Sequence, residues 1–239
     1  MKRALVTGGS GAIGSAICRA LAAQGHHVIV HANGNLPRAE ILVEQLRNEG
    51  RSAEAVAFDV TDTVACETAL AALVEAGAVQ ILVNNAGIHD DGVFAGMSHA
   101  QWSRVVDVSL GGFFNVTQPL TLPMIRTRWG RIINMSSVAA IAGNRGQVNY
   151  AAAKGALQSA TRALSLEIAS RGITVNAVAP GIITSEMTEG VFDKEMIDRM
   201  VPVKRAGTAD EVAALVAFLA SDAAGYITGQ IISINGGMI

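Results

Sequence analysis

The chain has 239 residues, of which 50% are hydrophobic and 16% charged, and its formal net charge is −2. This length and composition predict a single domain over residues 1–239 with one large core. The chain has no cluster of lysine and arginine and no apolar stretch of about 20 residues, so we expect neither nucleic acid nor a membrane as partner. The five histidines do not pair at metal-ligand spacing, so no metal site is predicted.

The opening sequence MKRALVTGG lacks the apolar run of a signal peptide. Cys18 and Cys66 are far apart in apolar patterns, which is typical of reduced thiols. We therefore expect the protein in the cytoplasm.

Short runs of β-branched residues alternate with longer helical patterns from end to end. The predicted strands are 4–7, 27–31, 53–58, 80–84, 131–137, 173–179 and 231–235. Alternating strands and helices predict an α/β fold, a Rossmann-type doubly wound seven-stranded parallel sheet with helices on both faces. The irregular segment 181–207 follows a strand end, where such sheets bind ligands, and is predicted to be a substrate lid.

The first predicted strand ends in VTGGSGAIG, a glycine turn that can be aligned with two motifs. One is G-x-G-x-x-G at positions 9, 11 and 14. The other is T-G-x-x-x-G-x-G beginning at Thr7 and Gly8, with Ala12 in place of its middle glycine. Either motif, between a strand and a helix, predicts binding of a dinucleotide pyrophosphate at the helix amino terminus.

The second predicted strand indicates which dinucleotide binds. An acidic residue about 20 positions after the glycines normally holds the ribose 2′-hydroxyl of NAD. No acidic residue precedes Arg38, and the strand end carries His31, Asn33 and Asn35. This neutral or weakly basic strand end favours NADP, with NAD as the alternative.

Two further strand ends carry polar residues. Asp59 and Val60 follow the third strand and are expected beside the adenine ring, although Asp59 could equally cap a helix. The stretch NNAG at 84–87 ends the fourth strand with small residues beside the cofactor. Asn84 could either contact ligand or brace the neighbouring chain.

The candidate catalytic residues lie in SSVAAIAGNRGQVNYAAAK. Tyr150 and Lys154 are four residues apart and share one helix face. A lysine ammonium beside a phenol lowers its pKa, and such a tyrosine can protonate a carbonyl oxygen as hydride reaches the carbon. Ser137, at the end of the fifth strand, could hold that oxygen.

With these motifs in order, the chain resembles the classical short-chain dehydrogenase/reductase family over nearly its whole length. The matching motifs are T-G-x-x-x-x-x-G at Thr7–Gly14, NNAG at 84–87, a serine thirteen residues before the tyrosine, YAAAK at 150–154 and NAVAPG at 176–181. The resemblance implies catalysis by Ser137, Tyr150 and Lys154, with Lys154 also on the nicotinamide ribose and Ile183 beside the carboxamide. The implied cofactor site comprises Gly8, Ser10, Gly11, Ile13, Gly14, Asn33, Asp59, Val60, Asn85, Ala86, Gly87, Tyr150, Lys154, Pro180, Gly181 and Ile183.

One position departs from the family pattern. The family usually has asparagine in D-x-N-L-x-G-x-F, where it orders a water behind the lysine, whereas DVSLGGFF places Ser109 there. We expect activity to be retained, with a proton relay of altered geometry.

Within the family the chain is most similar to bacterial 3-oxoacyl-[acyl-carrier-protein] reductases. This implies NADPH-dependent reduction of a carrier-bound 3-oxoacyl thioester, and a homotetramer. It also implies carrier docking through arginines near the site entrance, at positions matching Arg128 and Arg171. The alternatives are a ketoreductase of polyketide or aryl-polyene biosynthesis, a reductase of free ketones, sugars or steroids, and a non-catalytic NADP sensor.

Overall fold

A computed structural model of the chain describes residues 1–184 and 193–239. Its seven-stranded sheet has the order β3-β2-β1-β4-β5-β6-β7, and every neighbouring pair is parallel. The strands are β1 Arg3–Val6, β2 His27–Ala32, β3 Ala53–Ala57, β4 Ile81–Asn84, β5 Gly130–Met135, β6 Ile173–Pro180 and β7 Ile231–Ile234. The predicted sheet is confirmed, with strand limits that differ by at most two residues at either end.

Helices cover both faces of this sheet. They are α1 Ala12–Ala23, α2 Leu36–Asn48, α3 Thr63–Glu75, α4 His99–Val106, α5 Gly112–Thr127, α6 Ala139–Ala142, α7 Val148–Ile168, α8 Lys194–Met200 and α9 Ala209–Ala220. One hydrophobic cluster packs the sheet against α1, α2 and α9, and the other packs it against α3, α5 and α7. Successive β1 residues alternate between the two clusters, Val6 in the first and Leu5 in the second, because successive strand side chains point to opposite faces. Burial on both faces explains why the strands read as continuous apolar runs.

Side-chain caps fix where several helices begin. Asn35 and Asp62 accept from backbone N–H groups at the starts of α2 and α3, and Ser98 forms a capping box with Gln101 at α4. Helix α1 differs, because its N-cap is Gly11, which has no capping side chain. The first N–H groups of α1 therefore remain available to a ligand.

The predicted substrate lid, 181–207, is described at 181–184 and 193–207, and residues 185–192 lie outside the described residues. A short parallel bridge joins Ile183 to Gly207, and α8 follows residue 193. Within the two described ranges, no helix is long and apolar enough to cross a membrane.

Candidate active site

A cavity of about 460 Å³ opens at the carboxyl ends of the strands. All sixteen residues of the predicted cofactor site line it, from Gly8 in the glycine turn to Ile183 after β6, and Ser137 lines it as well. The cavity wall also contains residues that the sequence analysis did not assign to a site, namely Ala12, His31, Ile88, His89, Val108, Met135 and Ser136. Most of these residues are next to a motif residue in the sequence, and this proximity is the feature from which their place in the cavity wall could have been predicted.

The geometry of the glycine turn favours the second of the two motifs. Gly8 has φ +62°, a left-handed conformation that suits glycine. A Cβ on Gly14 would overlap the Gly8 carbonyl oxygen, whereas a Cβ on Gly11 would stand 3.3 Å from it. Glycine is therefore needed at position 14, which both motifs share, and at position 8, which only the motif that begins at Thr7 contains, while Gly11 of the other motif is less constrained.

Thr7 and Asn85 join the glycine turn to the NNAG stretch. The Thr7 hydroxyl oxygen accepts from the backbone N–H groups of Asn85 and Ala86, both at 2.9 Å. The Asn85 side-chain amide donates to the Thr7 and Gly8 carbonyls at 2.9 and 3.1 Å. The two segments therefore form one rigid wall of the cavity.

Asn84 braces the sheet, the second of the two roles considered for it. It is 6% exposed, and its amide donates to Asn134 Oδ1 at 2.8 Å and to Thr117 Oγ1 at 2.9 Å. Asn134 in turn donates to Thr161 Oγ1 on α7 at 2.8 Å. This buried polar network ties β4 and β5 to the helices beneath them.

The residues around the turn fit a dinucleotide. Gly8 and Gly14 leave room for close backbone approach, and Ala12, Ile13 and Gly14 at the uncapped start of α1 line the cavity. A helix amino terminus with free N–H groups and a positive dipole end binds phosphate. The pyrophosphate of a dinucleotide would be held at this point.

The adenosine end of the cavity is formed by strand ends β2 and β3. Asn33 is exposed there, and Asp59 Oδ1 accepts from the Thr61 backbone N–H and hydroxyl, both at 2.8 Å. The residue that caps α3 is Asp62. Of the neutral or weakly basic strand end that the sequence predicts, His31 supplies the neutral case, because burial lowers the pKa of this ring to about 4.

The three predicted catalytic residues converge at one end of the cavity. Ser137 follows β5 and forms a side-chain hydrogen bond with Tyr150, which lies in the first turn of α7. Lys154, one turn further, is 3% exposed; its Nζ donates to the Met135 carbonyl at 2.8 Å and is 5.7 Å from the Tyr150 ring centroid. The three side chains are therefore positioned by the end of β5 and the start of α7.

The electrostatics of this trio differ from the sequence prediction. Burial raises the pKa of Tyr150, the negative charge of Asp91 adds to this rise, and the Ser137 hydrogen bond offsets part of it. Burial also lowers the pKa of Lys154 to about 8, and its ammonium is directed to the Met135 carbonyl. The predicted lowering of the tyrosine pKa by Lys154 is therefore wrong for this structure, since desolvation dominates at both groups.

Asn149 fixes the position of Tyr150. Its side chain is fully buried, and Oδ1 accepts from the Tyr150 backbone N–H at 2.8 Å. The amide group donates to the backbone carbonyls of Asp90 at 2.9 Å and Gln101 at 3.2 Å. The start of α7 is thus attached to α4 and to the segment after NNAG, a link that the sequence motifs did not indicate.

Ser109 lies in a single π-helical turn, Asp107–Gly111, between α4 and α5. It is 3% exposed, and its Oγ has no hydrogen-bond partner among the described residues. A buried hydroxyl without a protein partner is a typical position for an ordered water. Its role in a proton relay stays a prediction.

Arg128 and Arg171 lie elsewhere than the sequence analysis expected. Both lie two residues before the start of a strand, Arg128 before β5 and Arg171 before β6, whereas the cavity lies at the carboxyl ends of the strands. Their turns touch, since the Gly130 N–H donates to the Gly172 carbonyl at 3.2 Å. The turns that carry the two arginines therefore adjoin each other at the amino ends of the strands, which is the end of the sheet opposite the cleft of the same subunit.

Comparison with known proteins agrees with this class of fold and site. The model of a family described as enoyl-(acyl carrier protein) reductase matches residues 8–239. The fold and the residues of the cleft define a dinucleotide-dependent oxidoreductase. The chain belongs to the short-chain dehydrogenase/reductase family.

Several curated relatives match almost the whole chain. Nodulation protein G of Azospirillum brasilense is 44% identical over 99% of this chain and 98% of the relative. The 3-oxoacyl-[acyl-carrier-protein] reductase of Aggregatibacter actinomycetemcomitans is 41% identical over 98% of each chain, and the acetoacetyl-CoA reductase of Acinetobacter sp. (strain RA3849) is 42% identical over 99% and 97%. A crystal structure provisionally assigned as a gluconate dehydrogenase from Agrobacterium tumefaciens superposes with a TM-score of 0.95 at 35% identity, covering 99% of this chain and 95% of that chain.

Proposed function

We propose that the protein reduces a 3-oxoacyl thioester carried on acyl carrier protein to the 3-hydroxyacyl thioester, with NADPH as reductant. The observation that carries the proposal is the convergence of Ser137, Tyr150 and Lys154 beside the cavity lined by the glycine turn. The relatives named as 3-oxoacyl and acetoacetyl-CoA reductases support a 3-oxoacyl thioester as substrate. The reaction belongs to fatty acid synthesis or to a related polyketide or aryl-polyene route.

The chemistry assigned to the trio is protonation of the carbonyl oxygen. A dinucleotide held at the glycine turn would supply the hydride that reduces the carbonyl carbon. Because the pKa of Tyr150 is raised, the phenol is protonated at neutral pH and donates its proton to the oxygen. The Ser137 hydroxyl donates a hydrogen bond to the same oxygen and places it against the phenol. Lys154 would hold the nicotinamide ribose, and Ser109 would order the water that returns a proton to Tyr150.

The preference for NADPH over NADH rests on the end of β2. Asn33 is exposed at the cavity, and no acidic residue lies in the chain before Arg38 to repel a 2′-phosphate. His31 contributes no charge, so the phosphate would be bound by neutral groups at this strand end. NADH is the alternative that the assay below tests.

Carrier docking at Arg128 and Arg171 requires an oligomer, because both arginines lie at the amino ends of the strands, whereas the cleft of the same subunit lies at the carboxyl ends. Exposed apolar residues on α7 and near the carboxyl terminus, such as Leu166 and Ile239, offer surfaces for subunit contact. We propose a homotetramer in which this arginine pair of one subunit serves the cleft of a neighbour. Cys18 and Cys66 are buried free thiols, consistent with the cytoplasmic location that we assign.

A second candidate is reduction of free ketones or sugar acids, which the structural similarity to the gluconate dehydrogenase favours. The test compares acetoacetyl carrier protein, acetoacetyl-CoA and a free keto-sugar acid, each with NADPH and with NADH. We expect the highest kcat/KM for the carrier thioester with NADPH. A higher kcat/KM for the free acid would replace the proposal with the second candidate.

Two pairs of variants make the assay specific. Tyr150→Phe should lower kcat by at least about 100-fold, whereas Tyr226→Phe, at a fully exposed tyrosine, should not. Charge reversal at Arg128 and Arg171 together should raise KM for the carrier thioester but leave KM for the CoA thioester unchanged. Arg51→Glu, at an exposed arginine shortly before β3, is the matched control. Equal kcat for Tyr150→Phe and the wild type would refute the catalytic assignment.

A further inference from the structure

His31 is a buried histidine whose two ring nitrogens are both used. It is 1% exposed at the end of β2, and its Nδ1 accepts from the Gly8 backbone N–H at 3.0 Å. Its Nε2 is 2.8 Å from the Phe58 carbonyl oxygen. The centroids of the His31 and Phe58 rings are 4.2 Å apart. Because a backbone N–H can only donate and a carbonyl can only accept, the proton must be on Nε2.

This arrangement ties three strand ends together. Gly8 lies two residues after β1, His31 is the penultimate residue of β2 and Phe58 directly follows β3, so the imidazole bridges the ends of all three strands at the adenosine end of the cavity. The Gly8 carbonyl is held separately by the Gly11 N–H at 3.1 Å and by the Asn85 amide at 3.1 Å. The His31 bond is therefore the contact that fixes the amide on the other side of Gly8, the residue with φ +62°.

We propose that His31 is a positioning residue for the dinucleotide, which acts by anchoring the Gly8 amide and thereby holding the glycine turn in its binding conformation. The inference rests on the proposed function only in that the cavity binds a dinucleotide. It assigns to His31 the support of the turn.

The anchor works only with a neutral ring. A second proton on Nδ1 would place two donors, the ring N–H and the Gly8 N–H, face to face. Burial holds the ring neutral and outweighs both the Phe58 carbonyl and the charge of Asp59, which favour the protonated form. Asp59 is the charged side chain that acts on His31 within the part of the chain that the structure describes.

The first test measures the ligand-free wild-type protein. Nitrogen-15 NMR of the histidine side chains should show His31 as the Nε2–H tautomer, and still neutral at about pH 6, where an ordinary histidine is more than half charged. The opposite tautomer, or a charged ring at that pH, would overturn the inference.

The second test measures binding of NADP⁺ directly by calorimetry. His31→Leu leaves the Gly8 donor without its acceptor, so the Kd should rise about tenfold or more. His31→Gln, which retains an acceptor and a donor, should recover most of the affinity. His27→Leu makes the same change at the other end of β2, where the histidine contacts Ser52 and Glu54, and should leave the Kd unchanged.

The outcomes separate the two proposals. Equal Kd values for the wild type and His31→Leu would overturn the inference alone. Binding of neither NADP⁺ nor NAD⁺ by the wild-type protein would overturn the proposed function together with the inference. If His31→Leu does not fold, the Gln variant and the NMR measurement on the wild type still decide the matter.

Discussion

Replacing Lys154 with Met should stabilise the fold while abolishing activity. Lys154 is 3% exposed, and burial lowers its pKa from 10.5 to about 8. In an unfolded chain the amine regains the higher value, so below about pH 8 folding must desolvate the charge. A pKa difference of this size corresponds to about 3 kcal/mol at neutral pH. Losing the bond to the Met135 carbonyl offsets about 1 kcal/mol, which leaves a net gain of about 2 kcal/mol.

The destabilisation of the fold by Lys154 depends on pH, and this dependence can be measured. The destabilisation by Lys154 is complete below about pH 8 and fades as pH rises toward 10.5, where the unfolded amine also loses its proton. Urea unfolding at one protein concentration should therefore show the Met variant about 2 kcal/mol more stable at about pH 7 and nearly equal at about pH 10. Lys194→Met, at an exposed lysine on α8, is the control and should show no such change. A Met variant that is less stable at neutral pH, or a difference independent of pH, would refute the reasoning.

Three further predictions concern other parts of the molecule. Asn149→Ala should lower kcat about tenfold or more with little change in KM for NADPH, because the start of α7 loses its anchor while the cofactor walls remain; unchanged kcat in steady-state assays would contradict this. Ser109→Asn should shift the pH profile and the proton-transfer rate if Ser109 orders a relay water, and identical profiles would count against that role. Ile133→Ala, at a 1% exposed position of β5, should reduce the free energy of unfolding by about 3 kcal/mol, whereas Val64→Ala, at a 71% exposed position of α3, should change it by less than about 0.5 kcal/mol.

The sheet could be predicted from sequence because its signals are local. Each strand is a short β-branched run, and burial on both faces leaves that run uninterrupted by polar residues. The cavity lining followed from the same reasoning, since the glycine turn, NNAG and the segment after β6 all leave the carboxyl ends of parallel strands. The positions of Arg128 and Arg171 could have been predicted in the same way, because each lies two residues before the start of a strand and so at the end opposite the cavity.

Properties that depend on surroundings were not predictable in this way. The direction of the Tyr150 pKa shift is set by burial among elements distant in sequence, and the spacing to Lys154 carries no information on it. The anchoring role of His31 likewise depends on Gly8 and Phe58, 23 and 27 residues away. Its position in VIVHANGN indicated only a strand end.

The buried pair Asn84 and Asn134 has a consequence for how the fold is specified. The two residues are direct partners in the register of β4 and β5, and their amides meet out of contact with water. A slip of one residue would turn one amide to the opposite, apolar face and leave its polar groups unpaired. The pair therefore selects against misaligned strands, and keeps the ends that carry NNAG and Ser137 level with each other each time the chain folds.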